Sequence, residues 1–189
     1  MAIVVTNNFL DAGCATASID KKLLRTWCAV YVHSRSEYAV ERYMASRGIK
    51  IFVPTIVTTH VWASGERKNI RTPLFSMYVF AFANYDERLT VLQNSRVLHV
   101  VGGRRDPVQV TDSEIRFLRS DLCMREIHKY VERPSGEQAK LLYMTATDVE
   151  GVLIRNSNTL QFAVNIPSVG EYVAVQVSEQ EVSCAGAMV

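Results

Sequence analysis

The sequence predicts an α+β fold with two domains: an N-terminal antiparallel sheet flanked by helices, and a small C-terminal all-β barrel. Residues 26–123 alternate β-rich runs with amphipathic helical segments. Residues 139–180 contain only short β-rich runs that turn-forming residues separate. The charge also differs, since residues 26–123 hold 13 basic and 9 acidic side chains, whereas residues 139–189 hold 2 basic and 5 acidic. This asymmetry favours two domains with attraction between them.

The N-terminal domain is predicted to begin with a strand and a helix. Trp27–Val32 is apolar on both faces, as expected for a strand that is covered on both sides. Ser34–Glu37 has the pattern of a capping box, apolar residues follow at helical spacing over 39–44, and Gly48 ends the helix. The domain therefore opens with a β-α unit.

A long hairpin is predicted to follow this helix. Ile49–Val61 is rich in β-branched residues, and Pro54 within it marks an edge or a bulge. The polar segment Ser64–Asn69 is predicted to form the tip, from which the chain returns through Ile70–Thr72.

An aromatic strand comes next. Within Met77–Phe82, aromatic and aliphatic residues alternate, so Tyr78, Phe80 and Phe82 share one face. Three rings on one strand face are usually core beneath helices. The opposite face is apolar too, and if the helices cover only one face, the other is a docking site for a protein or a second domain. Both interpretations remain open at the level of the sequence.

Three further elements complete the domain in the order β-α-β-β-β-α-β-α, which indicates an antiparallel sheet. The first is a helix over Asp86–Gln93 with Leu89 and Leu92 pointing inward, and the second is a strand over Val97–Val101 that ends at Gly102-Gly103. The third is a helix that begins with a second capping box, Thr111–Glu114. Its apolar stripe consists of Ile115, Leu118 and Leu122.

The predicted boundaries divide the chain into five segments. They are a flexible N-terminal extension (1–25), the N-terminal domain (26–123), a linker (124–138), the barrel (139–180) and a tail (181–189). The barrel strands are predicted at Ala139–Tyr143, Gly151–Arg155, Gln161–Ile166 and Tyr172–Val177.

No residue pattern indicates an enzyme. Cys28 and His33 are the nearest Cys/His pair, and their odd spacing directs them to opposite faces of a strand. His60, His99 and His128 lie in separate elements, without a carboxylate at metal-ligand spacing. We therefore predict no catalytic residue, no metal and no cofactor.

The composition indicates the cellular compartment of the protein and limits the kinds of partner that it can bind. The four scattered cysteines form no Cys-x-x-Cys pair, which is typical of reduced thiols in the cytoplasm. No apolar run approaches the length of a membrane span, so no membrane association is expected. The net charge of +2 argues against a polyanion bound over a large footprint as the only partner.

Two basic turns are candidate nucleic-acid contacts. Arg67, Lys68 and Arg71 crowd the tip and return arm of the predicted hairpin, and Arg104 and Arg105 lie on another turn. Flexible cationic tips suit contact with phosphates, because that attraction needs charge more than shape. An ordinary solvated turn would have the same composition.

The order of these motifs resembles the NusG family of transcription elongation factors over residues 26–180. The resemblance rests on Trp27-Cys28-Ala29-Val30-Tyr31, Ser36-Glu37, Gly48, Phe52-Val53-Pro54, Trp62 before a basic loop, Pro73-Leu74-Phe75-x-x-Tyr78-Val79-Phe80, Arg96–Val101 before a glycine turn, and Glu150-Gly151-Val152-Leu153 in a segment similar to a KOW-type barrel.

The chain departs from the family pattern at two places. Ser76-Met77 stands where the family usually has Pro-Gly, and Thr145–Asp148 stands where its barrel usually opens with a Gly-Pro-Phe type turn. The first departure and the N-terminal extension resemble specialised paralogues of the RfaH-like and UpxY-like type. UpxY-like proteins act on capsule or surface polysaccharide operons.

The resemblance implies that the N-terminal domain docks on the clamp helices of the RNA polymerase β′ subunit. It also implies a bridge toward the β subunit and contact with non-template DNA. The implied docking pocket draws on Tyr31, Tyr43, Phe75, Tyr78 and Phe80. A bridging protein stabilises the closed clamp and so opposes pausing. The barrel would recruit another protein or control access to the pocket.

We therefore predict a cytoplasmic regulator of transcription elongation and antitermination that binds RNA polymerase and suppresses pausing or termination. The alternative is a free-standing RNA- or DNA-binding module, in which the hairpin and barrel hold nucleic acid without polymerase. The modest net charge, and the concentration of the aromatic residues away from the basic turns, favour the first function.

Overall fold

The structure is a computed structural model that describes residues 23–120, 127–141, 149–156 and 159–184. The N-terminal elements are β1 (Thr26–Val32), α1 (Glu37–Ala45), β2 (Lys50–Phe52), β3 (Thr55–Val61), β4 (Arg67–Pro73), β5 (Tyr78–Ala83), α2 (Tyr85–Leu92), β6 (Val97–Val100), β7 (Gln109–Val110) and α3 (Asp112–Ser120). The C-terminal elements are β8 (Ile127–Tyr130), β9 (Glu137–Leu141), β10 (Glu150–Arg155), β11 (Leu160–Ile166), β12 (Glu171–Gln176), a short 3-10 helix (Glu179–Glu181) and β13 (Val182–Cys184).

The N-terminal sheet is antiparallel and centres on β1 and β5. Its strand order is β2-β5-β1-β6, and β7 pairs with the start of β1. The register places Trp27 opposite Phe82, Ala29 opposite Phe80, and Tyr31 opposite Tyr78. Strands β3 and β4 form a two-stranded sheet of their own. The structure therefore confirms the α+β class and the shared face of the aromatic strand.

Helices cover both faces of this sheet. One face packs Cys28, Val30 and Val79 against Val40 and Met44 of α1 and Val91 of α2. The other face, which we call the aromatic face, is defined by Trp27, Ala29, Tyr31, Tyr78, Phe80 and Phe82. It packs against Leu74, Phe75 and the α3 residues Ile115 and Leu118.

The first helix begins differently from the capping box predicted at Ser34–Glu37. Ser36 is the N-cap residue and makes no side-chain capping bond. Glu37 is only 4% exposed. Its carboxylate accepts a hydrogen bond from the Met77 backbone N–H at 2.8 Å. The capping-box prediction is wrong here because the carboxylate turns inward to the chain just before β5.

This bond holds an unusual turn. Met77 has φ of +68°, in the left-handed region that side chains rarely adopt. The Tyr31 hydroxyl also approaches the Met77 sulfur at 3.5 Å. The Glu37 carboxylate therefore stabilises the backbone that directs Tyr78 onto the aromatic face.

The other two helices have capping boxes. The one predicted at Thr111–Glu114 is confirmed, because Glu114 N–H donates to the Thr111 hydroxyl at 3.1 Å and Thr111 N–H donates to the Glu114 carboxylate at 2.7 Å. Asn84 and Glu87 form another at the start of α2, which sequence analysis missed. Within α2 the buried residues are Arg88 and Val91, whereas Leu89 and Leu92, predicted inward, are only partly buried.

The C-terminal part is a six-stranded antiparallel sheet in the order β13-β9-β10-β11-β12-β8. All four predicted strands are present, although residues 142 and 143 of the first lie outside the described residues. Two segments contain strands that were not predicted. β8 lies in the predicted linker (124–138) and pairs with β12, and β13 lies in the predicted tail (181–189) and pairs with β9.

These two strands escape sequence analysis because their residues are not strongly apolar and gain stability only by pairing with sheet edges. The predicted N-terminal extension (1–25) lies outside the described residues up to residue 22. The domain boundaries remain a prediction.

Replacement of Glu37 tests the turn at Met77. Glu37→Ala leaves the Met77 N–H without its partner, so we expect it to lower the free energy of unfolding by about 1–3 kcal/mol. Glu37→Gln keeps an acceptor oxygen at the same place and should cost less. Urea denaturation of both variants measures the difference, and equal losses would show that the hydrogen bond is not what stabilises the turn.

Candidate functional site

Aromatic rings follow the whole length of the aromatic face. Trp27 and Phe82 have ring centroids 5.2 Å apart at one end, and Tyr31 and Tyr78 are 5.0 Å apart at the other. Phe80 lies between them and is 0% exposed. The ladder is therefore continuous, and its centre is core.

The Tyr31 end of the ladder reaches the surface. Tyr31 and Tyr78 are partly buried, and the exposed His99 ring lies 5.2 Å from Tyr31. Beneath them Phe75, which is 1% exposed, meets Phe80 edge-on at 6.0 Å. We call Tyr31, Tyr78 and His99 the tyrosine patch. It has the half-apolar, half-polar character that is common at protein interfaces.

Tyr43 does not join this patch. It lies on α1 and packs against the cluster on the opposite face of the sheet. The Arg47 guanidinium covers its ring at 3.6 Å from the centroid. The structure thus brings together Tyr31, Phe75, Tyr78 and Phe80 of the implied pocket and separates Tyr43 from them.

The C-terminal sheet reaches the same end of the aromatic face. Lys129 of β8 places its Nζ 5.6 Å from the Phe75 ring centroid, and Nζ also forms an ion pair with Glu171 of β12 at 3.0 Å. Burial raises the pKa of Tyr78, and the Tyr31 hydroxyl and the Glu171 carboxylate raise it further. Phe75 and Phe80 belong to one buried cluster with Phe162, Val164 and Val173 of the C-terminal sheet.

The hairpin splits its basic residues between two faces. Strand pairing places Lys68 opposite His60, and Arg67 opposite Val61, so Lys68 and Arg67 point to opposite sides. Arg71 shares the face of Arg67 and pairs with Val57.

Arg71 also lines a cleft of about 430 Å³ beside α1, together with Tyr38 and Glu41. Burial raises the pKa of Tyr38 and of Glu41 there, and for Tyr38 the Arg71 charge acts in the opposite direction. Arg71 therefore lies at the cleft beside α1, and all three basic residues of the hairpin are exposed.

The second basic turn is anchored through its backbone. The buried Arg88 donates from Nε to the Arg104 carbonyl and from a terminal nitrogen to the Ala83 carbonyl, both at 3.0 Å. The Arg104 guanidinium lies 5.1 Å from the Tyr85 ring centroid, and Arg105 is exposed. This turn therefore contacts Tyr85 and Arg88 of α2, whereas Arg67, Lys68 and Arg71 lie on the separate hairpin.

Sequence analysis missed an aromatic pair at the hairpin tip. The rings of His60 and Trp62 are 5.0 Å apart, and both residues are exposed. The available signal was the two-residue spacing of His60 and Trp62, which places both on one strand face. In the sequence, Trp62 stands out only as the aromatic residue before a basic loop.

The family follows from the N-terminal domain. A family model described as "Transcription termination factor nusG" matches residues 25–119, half of the chain, from β1 to α3. The chain belongs to the NusG family. NusG proteins are transcription factors without enzymatic activity, and the family indicates a role in transcription elongation.

Two solved structures are similar to this NusG family member. The structure titled "Domain interaction in Thermotoga maritima NusG" is 19% identical, with a TM-score of 0.48, over 85% of this chain and 97% of that chain. The one titled "Crystal Structure of MjSpt4:Spt5 complex conformation B" is 14% identical, with a TM-score of 0.33, over 84% of this chain and 96% of that chain. No curated protein matches the chain.

Three further features bear on the kind of site: possible metal ligands, the Cys28 thiol and the length of the helices. Among residues 23–120, 127–141, 149–156 and 159–184, no three His, Cys, Asp or Glu side chains lie close enough to hold a metal ion. Burial raises the pKa of the Cys28 thiol to about 11, and His33 is exposed on the loop after β1. None of the helices in the described part of the chain is long and apolar enough to span a membrane.

Truncation of single rings separates core from surface in the aromatic face. Phe80 is fully buried, so Phe80→Ala should lower the free energy of unfolding by about 3–5 kcal/mol. Tyr78 is partly exposed, so Tyr78→Ala should cost less. Denaturant unfolding of the two purified variants gives both values; a larger loss for Tyr78→Ala would place Tyr78 in the core instead of the patch.

Proposed function

We propose that this NusG family member binds RNA polymerase through the tyrosine patch and acts as a regulator of elongation and antitermination. The observation that carries the proposal is the partly exposed Tyr31–Tyr78 pair over the buried Phe75 and Phe80 rings. NusG family proteins bind RNA polymerase. Aromatic anchors that are rigid on one side and accessible on the other are the residues that dominate the binding energy of many interfaces.

The proposed partner surface is the clamp helices of the β′ subunit, with a bridge toward the β subunit. Apolar groups on a helix pair would pack on Tyr31 and Tyr78, while Phe75 and Phe80 support the rings from below. A protein that bridges the cleft binds the closed clamp better than the open one. It thereby suppresses pausing or termination through differential binding and without catalysis.

The finer assignment rests on Ser76-Met77. The left-handed conformation of Met77 is one that glycine adopts at no cost, and the Glu37 carboxylate supports it here. We propose that Ser76-Met77, in place of the Pro-Gly usual in the family, marks a specialised paralogue of the RfaH-like or UpxY-like type. It would act in the cytoplasm, at surface polysaccharide operons, and its Arg67, Lys68, Arg71, Arg104 and Arg105 side chains would contact non-template DNA.

We further propose that the C-terminal sheet controls access to the tyrosine patch. Lys129 and Glu171 of this sheet lie next to Phe75 and Tyr78, which supports competition between the sheet and the polymerase for one surface. When the sheet moves away, it would be free to recruit another protein.

Polymerase affinity tests the patch. Tyr78→Ala should weaken binding to purified core polymerase, free of nucleic acid, by roughly 30-fold or more, as truncated aromatic anchors do. Tyr38→Ala is the matched control, because Tyr38 is an exposed tyrosine on α1, beneath the opposite face of the sheet. Biolayer interferometry with immobilised polymerase measures both affinities.

The same measurement separates the proposal from the alternative function. A free-standing nucleic-acid module would not bind nucleic-acid-free polymerase, even in the wild-type form. Unchanged affinity of Tyr78→Ala, together with normal wild-type binding, would move the docking site away from the tyrosine patch and leave polymerase binding intact.

Charge reversal at Lys129 tests access control. Lys129→Glu places two carboxylates side by side with Glu171 and removes the cation from the Phe75 ring, so the C-terminal sheet should pack less tightly on the patch. Apparent affinity for polymerase should then rise several-fold, because a larger fraction of the protein is competent to bind.

The matched control is Lys140→Glu. Lys140 forms a comparable ion pair with Glu150 at 3.1 Å, and both side chains are well exposed on β9 and β10. Its reversal should leave polymerase affinity unchanged. If the two reversals have equal effects, general charge governs the result and the sheet does not guard the patch.

A further inference from the structure

The tip of the β3–β4 hairpin carries apolar surface that the fold does not use. Trp62 is 51% exposed and Val61 is 56% exposed. Among the described strands, β3 and β4 pair only with each other and form no ladder with the main sheet. A large aromatic side chain in such a place contributes little to stability, and its exposure leaves the ring available for contact with another molecule.

The turn fixes the position of Trp62. Its carbonyl accepts from the Gly65 N–H at 2.8 Å, and its own N–H donates to the Glu66 carbonyl at 2.9 Å. Gly65 has φ of +83°, the left-handed residue that a three-residue hairpin loop requires. The tip therefore consists of residues 63–65 and is shorter than predicted. Trp62 is the last residue before the tip, and its backbone is held by both hydrogen bonds.

Charge identifies the kind of partner. Residues 55–73 hold three basic side chains, Arg67, Lys68 and Arg71, and one acidic side chain, Glu66. Lys68 pairs directly with His60, whose ring contacts that of Trp62. Aromatic rings beside cations are the arrangement that binds single-stranded nucleic acid, in which bases stack on the rings and the cations meet the phosphates.

The neighbouring hydroxyl group argues for DNA. Recognition of RNA commonly uses the 2′-hydroxyl, which needs free polar groups at the site. Thr58, which shares the face of His60 and Trp62, donates to the Ile70 carbonyl at 3.4 Å. The proton of the Thr58 hydroxyl is therefore already engaged by the neighbouring strand, and the surface beside it offers ring faces and positive charge.

We propose that the hairpin tip binds single-stranded DNA by stacking a base on the His60–Trp62 pair, with Lys68 on an adjacent phosphate. The identification of this DNA as the exposed non-template strand of a transcribing polymerase rests on the proposed function. The stacking itself needs no polymerase.

The experiment measures binding of the full chain to a thymidine oligonucleotide of about 12 nucleotides at low salt. Fluorescence anisotropy of a labelled oligonucleotide measures the affinity of the wild type and of every variant. Tryptophan quenching in the wild type then locates the contact at Trp62, because the other tryptophan, Trp27, is only 4% exposed. Trp62→Ala should weaken binding roughly 5- to 150-fold, and Trp62→Phe, which keeps a ring, should recover most of it. Unchanged thermal unfolding of both variants serves as the folding control.

An abasic oligonucleotide of the same length separates stacking from charge. It keeps the phosphates, so wild type and Trp62→Ala should bind it equally weakly. Lys68→Ser should weaken binding to both oligonucleotides and reduce the salt dependence, since one phosphate contact is lost.

Four results would overturn the proposal. They are full affinity of Trp62→Ala for the thymidine oligonucleotide, equal wild-type affinity for the abasic one, a preference for duplex DNA, and tighter binding of a uridine oligonucleotide. A loss of polymerase affinity by Trp62→Ala without loss of DNA affinity would instead make the tip a protein contact. The oligonucleotide arm contains no polymerase, so its failure is distinct from failure of the tyrosine patch.

Discussion

The pairing of β1 with β5 is the constraint on which the rest of the molecule depends. Its register places Trp27, Ala29 and Tyr31 opposite Phe82, Phe80 and Tyr78, so all the large rings fall on one face and the aliphatic residues on the other. A slip of one residue would exchange the two faces and bury the wrong set. The helices α1 and α2 can pack on the aliphatic face only because the register is kept.

The two ends of the aromatic face have different surroundings. At the Trp27 end, α3 covers the rings, and the Arg119 guanidinium lies 5.1 Å from Trp27 and 4.8 Å from Phe52. At the Tyr31 end, Lys129 and Glu171 of the C-terminal sheet approach Phe75 and Tyr78. Core and candidate docking surface are therefore parts of one ladder, with Phe80 fully buried at its centre and Tyr31 and Tyr78 partly exposed.

Much of this was accessible from the sequence, because it depends on local spacing. Alternation in residues 77–82 predicted the shared aromatic face, and Thr111–Glu114 predicted a capping box with the bonds now observed. The same pattern at Ser34–Glu37 predicted a capping box that is not formed, because the Met77 backbone N–H binds the Glu37 carboxylate instead. No local pattern reveals a partner that lies 40 residues away in the chain.

The sequence by itself determined the fold class, the NusG family and the composition of the aromatic face and the basic hairpin, all of which follow from periodicity and motif order. Only the tertiary structure decided which rings are buried and that Tyr43 packs on the face opposite the aromatic face. It also placed Arg67 and Lys68 on a strand, where their side chains point to opposite sides, and added β8 and β13 to the C-terminal sheet. The physical reason is that burial and strand pairing depend on segments distant in sequence, whose contacts no local pattern specifies.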